Sequence, residues 1–278
     1  MRATKRRPVV RLTADGARRA RADTLAGEEP LEIRVAGAPY SVTMRTPGAD
    51  FDLVAGFLVS EGVIWDAGQV ASVGYGAGVN PDGTRSYNVV EVRLAPGVAP
   101  PAPTLTRHVY TSSSCGICGT ASIEAVTRAS RFPPAGDDLR IRLEELLALG
   151  ERLRRGQQVF DTTGGVHAAG LFAVDDDGTA RLECLREDVG RHNAVDKTVG
   201  WALREGRLPL RRAVLQVSGR ASFELVQKAH MAGVPALAAV SAPSALAVEL
   251  AEECGLTLVG FSRGESVNVY AGEHRILA

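Results

Sequence analysis

Two cysteines separated by two residues carry the most distinctive chemistry in this sequence. Cys115 and Cys118 lie in the run Cys115-Gly116-Ile117-Cys118-Gly119, whose glycines leave the backbone free and whose spacing allows the two thiols to meet. Three kinds of site use such a pair: a structural zinc site, a thioredoxin-like dithiol, and a sulfur relay in which one thiolate accepts sulfur as a persulfide.

The remaining cysteines and the histidines argue against zinc. A structural zinc site needs four ligands, whereas Cys184 and Cys254 are isolated and the five histidines are scattered, so we expect no bound metal. The position between a predicted strand and a predicted helix suits a thioredoxin-like dithiol, but no proline lies between the cysteines. A mobile loop rich in serine and glycine suits a sulfur relay that visits a donor and an acceptor.

Polar loops that contain glycine form the second group of candidates. They follow predicted strands or precede predicted helices in the second half of the chain, at residues 161–165, 190–193, 218–220, 241–244 and 262–265. Ligands of open α/β sheets bind at the carboxyl ends of the strands, where helix N-termini favour phosphates. Because Arg191, Arg220 and Arg263 lie in these loops, their convergence predicts a nucleotide-like ligand. Each loop alone is more typical of a turn with a helix cap than of a ligand site.

His192 has two interpretations. His192 and Asp196 lie one helical turn apart, which fits a helix start with a surface ion pair. Alternatively, Arg191 and His192 face a ligand. His167, next to Gly164-Gly165, is a lesser candidate for the same site.

Hydrophobic periodicity predicts the elements that position these residues. In the first half we expect a hairpin (31–35 and 40–44), a helix (53–58), strands (90–94 and 107–111) and a helix from 120. In the second half we expect a helix (143–153), two strands around the turn at 175–178, a helix (191–205), strands at 213–217, 236–240 and 257–261, and intervening helices at 223–232 and 244–254. The fold class is therefore α/β: an N-terminal α+β domain followed by a partly parallel sheet covered by helices. The predicted divisions are a flexible basic tail (1–21), an N-terminal domain (22–135) and a second domain (136–278).

The composition of the chain excludes several classes of protein. The chain has 278 residues, 45% of them hydrophobic, and 32 basic side chains balance 32 acidic ones. These values exclude a disordered chain and a globally cationic nucleic-acid binder. Neither a signal peptide nor a membrane-spanning apolar run is indicated, so we expect a cytoplasmic protein without a membrane or nucleic-acid partner. The arginine-rich start is either a solvated arm or a segment that steers an acidic partner protein.

Several motifs in order along residues 28 to 272 resemble one family. They are Glu29-Pro30-Leu31-Glu32-Ile33, Met44-Arg45-Thr46-Pro47-Gly48, Gly56-Phe57-Leu58, Ser113-Ser114-Cys115-Gly116-Ile117-Cys118-Gly119, Thr163-Gly164-Gly165-Val166-His167-Ala168-Ala169, residues 186–197, Ser218-Gly219-Arg220, Ala242-Pro243-Ser244 and Asn268-Val269-Tyr270. With these motifs the sequence resembles the FdhD family of formate dehydrogenase accessory sulfurtransferases.

The resemblance implies a specific task. Members take sulfur from a cysteine desulfurase and pass it to molybdenum in the bis-(molybdopterin guanine dinucleotide) cofactor of formate dehydrogenase. By motif position Cys115 would carry the persulfide, with Cys118 as its neighbouring thiol. Members act as homodimers, and their second domain is similar in fold to cytidine deaminases.

The resemblance also implies a cofactor site, for which GDP would be a mimic. The implied segment is Phe261, Ser262, Arg263, Gly264, Glu265 and Ser266, to which the loops above add Ser218, Gly219, Arg220, Arg191 and His192. Ser266 and Val267 depart from the family pattern, in which a basic residue and then an aromatic residue are frequent.

Two other functions compete with sulfur transfer. A zinc deaminase needs a His-x-Glu or Cys-x-Glu and a Pro-Cys-x-x-Cys, and the second domain has neither. A non-catalytic chaperone that binds the molybdenum cofactor, with only a structural role for Cys115 and Cys118, remains the alternative.

Overall fold

The computed structural model describes residues 2–79, 83, 85–101 and 130–278. The strands in this part of the chain are β1 (Thr4–Leu12), β2 (Arg18–Ala26), β3 (Glu29–Val35), β4 (Ala38–Arg45), β5 (Val70–Tyr75), β6 (Gly78–Val79), β7 (Arg85–Ser86), β8 (Val89–Leu94), β9 (Ile141–Arg142), β10 (His167–Val174), β11 (Ala180–Asp188), β12 (Ala213–Val217), β13 (Ala236–Ala239), β14 (Thr257–Arg263), β15 (Ser266–Ala271) and β16 (Ile276–Leu277). The helices are α1 (Asp50–Ser60), α2 (Leu143–Gly156), α3 (Gln158–Thr163), α4 (Arg191–Arg204), α5 (Phe223–Met231) and α6 (Ala245–Cys254). Cys115, Cys118, the strand predicted at 107–111 and the helix predicted from 120 lie outside the described residues.

A mixed sheet forms in the first half of the chain. Its described strands follow the order β4-β3-β8-β5, with β3 and β8 parallel and the outer pairs antiparallel. Leu31, Ile33 and Val35 alternate with less buried residues along β3 and belong to the same hydrophobic cluster as α1. The predicted hairpin and the predicted strand at 90–94 are confirmed.

A larger mixed sheet forms in the second half. Among the described strands its order is β11-β10-β12-β13-β14-β15, and only the neighbours β12, β13 and β14 run parallel. These parallel strands are buried along both faces, which explains their continuous apolar runs. The mixed α/β class predicted from the sequence is confirmed.

Helices cover both faces of the large sheet. On one face α2 packs its buried leucines against Phe172, Val214 and Val259. On the other face α4, α5 and α6 belong to a second cluster, in which Leu215 and Leu237 take part. None of the described helices is long and apolar enough to cross a bilayer.

Two glycines allow the backbones of α1, in the first half of the chain, and α4, in the second half, to come into direct contact. A Cβ atom on Gly56 of α1 would lie 1.8 Å from the carbonyl oxygen of Asp196 in α4, and one on Gly200 of α4 would lie 1.8 Å from the carbonyl oxygen of Asp52. The α1 side chains join the same hydrophobic cluster as those of α4. The boundary predicted near residue 135 stays a prediction, but one core connects elements from its two sides.

Residues 4–26 form a β-hairpin where the sequence predicts a flexible tail at 1–21. Strands β1 and β2 pair antiparallel along their full length, from Thr4 opposite Ala26 to Leu12 opposite Arg18. Gly16, at φ +81°, closes the turn between them, and its N–H donates to the carbonyl of Thr13. Because both faces of this hairpin are largely exposed, its sequence lacks the apolar alternation that marks a half-buried strand.

The helix crossing generates the first testable prediction. Gly56→Ala should lower the free energy of unfolding by about 3 kcal/mol or more, because α1 and α4 must separate to admit the methyl group. Urea denaturation measures this change. Gly74→Ala is the matched control, since a Cβ there meets no atom within 4 Å, and equal losses for both variants would contradict the helix contact.

Candidate functional site

A cleft of about 510 Å³ opens at the edge of the large sheet where β12, β13 and β14 end. Strand ends and the loops that follow them form one wall, and α2 with α3 forms the other. Gly150 fits α2 against β14, because a Cβ at this position would lie 2.4 Å from the carbonyl oxygen of Ser262. The volume is in the range of clefts that hold small ligands.

The structure brings some of the predicted cofactor-binding residues to this cleft. Ser218, Ser262, Arg263 and Gly264 line it. Gly219 lies beside the lining, since a Cβ on it would be 3.5 Å from Nδ1 of His167. The remaining predicted residues are not among the lining residues of this cleft: Arg191, His192, Arg220, Phe261, Glu265 and Ser266.

The segment from Phe261 to Ser266 forms a tight hairpin at the cleft. Arg263 pairs with Ser266 across a two-residue turn, and Gly264 has φ +75°, a conformation that favours glycine. Ser262 is buried and its Oγ donates to Oε1 of Gln216 at 3.1 Å. The Arg263 side chain is exposed at the rim and is therefore free to meet an anionic ligand.

His167 holds a more central place than the sequence indicated. It lines the cleft at the start of β10, and its Nδ1 lies 3.5 Å from Oγ of Ser218. Burial lowers the pKa of the His167 imidazole, and the nearby charges of Arg191 and His192 act in the same direction, against a weaker opposite effect of Asp188. The ring is therefore neutral near pH 7 and can accept or donate one hydrogen bond at each nitrogen.

Glu187 positions the α3 wall, and sequence reasoning missed it. Its two carboxylate oxygens each accept a backbone N–H, from Val159 and from Phe160, at 2.8 Å. These amides belong to the first turn of α3, whose donors have no partner inside the helix. A capping residue is usually sought next to its helix, whereas Glu187 comes from β11, 27 and 28 residues later.

A buried ion pair lies next to the cleft, since Asp188 directly precedes the lining residue Val189. Nζ of Lys197 lies 2.7 Å from Oδ2 of Asp188 and also donates to the carbonyls of Thr46 and Glu187. Asp188 in turn accepts hydrogen bonds from the N–H groups of Thr46 and Gly190 and from the amide of Asn193. Each charge is thus fully hydrogen-bonded, as burial requires.

The surface ion pair considered for His192 and Asp196 is wrong. Asp196 is 2% exposed and pairs with Lys228 at 2.8 Å, while Ser60 donates to the same carboxylate. His192 instead places Nε2 2.8 Å from Oε2 of Glu224. Helices α1 and α5 supply these partners, so the spacing within α4 could not reveal them.

Cys184 and Cys254 are poor candidates for thiol chemistry. Burial raises the pKa of the Cys184 thiol to about 12 and that of Cys254 to about 11. Both are therefore protonated near neutral pH, and a thiolate is the reactive form. No group of three or more histidine, cysteine or acidic side chains suited to a metal is present in the part of the chain that the structure describes. The expectation of no zinc stays a prediction, because Cys115 and Cys118 lie outside that part.

Comparison with known proteins identifies the family. A family model for the FdhD/NarQ family matches residues 26–277, nearly the whole chain. The chain belongs to the FdhD/NarQ family. The match begins at the last residue of β2, so most of the β1–β2 hairpin precedes the region that the model covers.

Relatives agree with this assignment. The chain is 62% identical to a protein of Streptomyces avermitilis over 277 residues, covering 99% of this chain and 96% of the relative. It is 56% identical to a protein of Mycobacterium tuberculosis, covering 99% of each chain. Both relatives are named sulfur carrier protein FdhD. A crystal structure of a proposed formate dehydrogenase accessory protein from Desulfotalea psychrophila matches with a TM-score of 0.72 at 25% identity, covering 99% of this chain and 100% of that one.

The environment of His167 predicts a pH dependence of stability. Because the pKa of His167 is lower in the folded than in the unfolded chain, the unfolded chain binds more protons just below pH 6.5. Stability should therefore fall as the pH falls through this window, and His167→Gln should reduce the slope. Urea denaturation between pH 5 and 8 measures it. His274→Gln, at an exposed position, is the control, and an unchanged slope in His167→Gln would refute the assignment.

Proposed function

We propose that this protein accepts sulfur from a cysteine desulfurase as a persulfide on Cys115 and transfers it to molybdenum in the bis-(molybdopterin guanine dinucleotide) cofactor, before that cofactor enters formate dehydrogenase. The observation that carries the proposal is the Cys115-Gly116-Ile117-Cys118 pair in a chain that is 62% identical to a sulfur carrier protein. The raised pKa values of Cys184 and Cys254 support the choice of the other two thiols.

Loading is a thiol exchange in which atoms and electrons balance. The Cys115 thiolate attacks the outer sulfur of the desulfurase persulfide, a new S–S bond forms on Cys115, and the desulfurase cysteine leaves as a thiolate. No outside oxidant is needed, because one persulfide bond replaces another.

Delivery gives Cys118 a defined task. The Cys118 thiolate attacks Sγ of Cys115, the persulfide bond breaks, and hydrosulfide leaves for molybdenum while a Cys115–Cys118 disulfide forms. The two thiols supply the two electrons that convert the outer sulfur to sulfide. A dithiol reductant then restores the pair for the next cycle.

The cleft is suited to the nucleotide part of the cofactor, which is the substrate of this transfer. Gly164 and Gly264, at φ +65° and +75°, have open space where a Cβ would be, so a phosphate group can approach the backbone closely at these two positions. Arg263 adds a cation at the rim and neutral His167 a hydrogen-bonding group. These features support a phosphate-bearing nucleotide as the ligand class, and the family resemblance supplies guanine as its base.

Oligomeric state and cellular location are part of the proposed function. The protein works as a homodimer in the cytoplasm and meets the desulfurase and formate dehydrogenase in turn. A chaperone that binds the cofactor without carrying sulfur is the alternative, and the cleft alone is compatible with it. Only the thiol chemistry separates the two.

Mass spectrometry tests the thiol chemistry. After incubation with a cysteine desulfurase and cysteine, the peptide that contains Cys115 and Cys118 should gain the mass of one or more sulfur atoms. Cys115→Ala should abolish this gain, whereas Cys118→Ala should retain the persulfide and lose its release as hydrosulfide. Cys254→Ala is the control, and a wild-type peptide of unchanged mass would favour the chaperone.

Titration with GDP tests the cleft. GDP at a hundredfold excess over its dissociation constant should stabilise the protein by about 2.7 kcal/mol, visible as a higher melting temperature. Arg263→Ala should weaken binding about tenfold through the loss of one phosphate contact. Arg220→Ala should weaken it less, because Arg220 is exposed outside the cleft lining. If millimolar GDP leaves the wild-type melting temperature unchanged, the cleft is not a nucleotide site.

A further inference from the structure

The β1–β2 hairpin concentrates positive charge on one face. Residues directly opposite each other share a face, and one face contains the side chains that we call the basic face: Lys5, Arg7, Arg11, Arg19 and Arg21. Arg11 lies opposite Arg19, and such like-charged pairs destabilise a hairpin. Lys5 pairs with Glu29 and Arg21 with Asp23, but Arg7, Arg11 and Arg19 form no ion pair with any residue that the structure describes.

The other face of the hairpin contains several apolar residues beside Arg6 and Arg18, and no described residue covers its outer part. Val10 is 47% exposed and Leu12 is 69% exposed, beside Ala20 and Ala22 on the neighbouring strand. A two-stranded hairpin is at best marginally stable without a surface to pack on. Its base has such a surface, since Ala26 lies against Gly165 near α3, whereas no residue that the structure describes packs on its outer part. The outer part is thus available to a further surface.

The charge balance of the chain indicates what that surface is. Residues 1–27 contain eight basic and two acidic side chains, a formal charge of +6. Because the whole chain has a formal charge of zero, the remainder carries −6. The body of this same protein is thus electrostatically complementary to its hairpin.

Helix α6 presents the acidic counterpart. Glu249, Glu252 and Glu253, which we call the acidic row, are exposed on one side of the helix, next to Leu246, itself 48% exposed. Glu249 and Glu252 form no ion pair within the described part of the chain. Helix α6 packs on the sheet face opposite α2, whereas the base of the hairpin contacts α3, which follows α2 in the chain and borders the same cleft. A contact between the two surfaces is therefore favoured between copies rather than within one.

We propose that the basic face of one copy docks onto the acidic row of a second copy, and that the reciprocal contact forms by two-fold symmetry. Leu246 adds apolar area beside the ionic contact. The proposal rests on the homodimer of the proposed function and names its interface. The two proposals can fail separately. The interface is tested by the mass of the assembly in solution, whereas sulfur transfer is tested by the mass of the peptide that contains Cys115 and Cys118.

Sedimentation velocity of the full chain, with matched double variants, tests the interface. The wild type should be a dimer whose dissociation constant rises with salt concentration. Arg11→Glu/Arg19→Glu and Glu249→Arg/Glu252→Arg should each weaken the dimer about tenfold or more. An equimolar mixture of the two variants should restore association, because the reversed charges match again. Arg93→Glu/Arg211→Glu, at exposed positions elsewhere, should dimerise like the wild type.

Each other outcome overturns the interface. A wild type that remains monomeric at about 100 µM, far above the dissociation constants of specific dimers, refutes it. A dimer that both double variants leave intact places the interface elsewhere. Variants that each associate weakly but do not restore association when mixed refute the pairing. If the hairpin variant instead loses co-purified nucleic acid while the dimer persists, the basic face binds a polyanion and not a second copy.

Discussion

The backbone contact between α1 and α4 is the constraint on which the rest of the structure depends. At Gly56 and Gly200 the two helices approach so closely that neither position has room for a methyl group. This approach places Asp52 where Arg186 and Arg204 reach its carboxylate, and it places Ser60 on Asp196. The first half of the chain is thereby fixed against the helix that starts beside the cleft.

Buried charges then set the register of the two halves. Asp188 and Lys197 form a pair that also bonds to both backbone groups of Thr46, far away in sequence. Arg45 and Asp50 form another buried pair within the first half, with Tyr75 donating to the same carboxylate. Such pairs add little net stability compared with apolar residues, but removing one partner costs about 3 to 5 kcal/mol. The Asp188–Lys197 pair therefore penalises any other arrangement of the halves.

The sequence predicted the fold best where burial is two-sided or strictly alternating. The strands at 213–217, 236–240 and 257–261 and the helices between them are found within a few residues of their expected limits. The β1–β2 hairpin was missed because its strands are exposed on both faces and thus have no hydrophobic period.

The sequence predicted several residues that line the cleft, but not the charged residues that hold the cleft walls in place. Glycine-bearing loops at strand ends located Ser218, Ser262, Arg263 and Gly264. Glu187, Asp188 and Lys197 gave no such signal, because charged residues are normally exposed and their partners are distant in sequence. Only the tertiary fold shows that Asp188 and Lys197 are buried and that Glu187 binds the start of α3.

The fit of Gly150 against Ser262 has a consequence for how the cleft can adapt to its ligand. Because the α2 backbone already touches the carbonyl of β14, that wall cannot approach further, and the strands behind it are buried along both faces. The opposite end of the wall is the six-residue helix α3, held by one carboxylate and by β2. A larger ligand would therefore have to displace α3. Because α3 contacts β2, such a displacement would also shift the base of the β1–β2 hairpin.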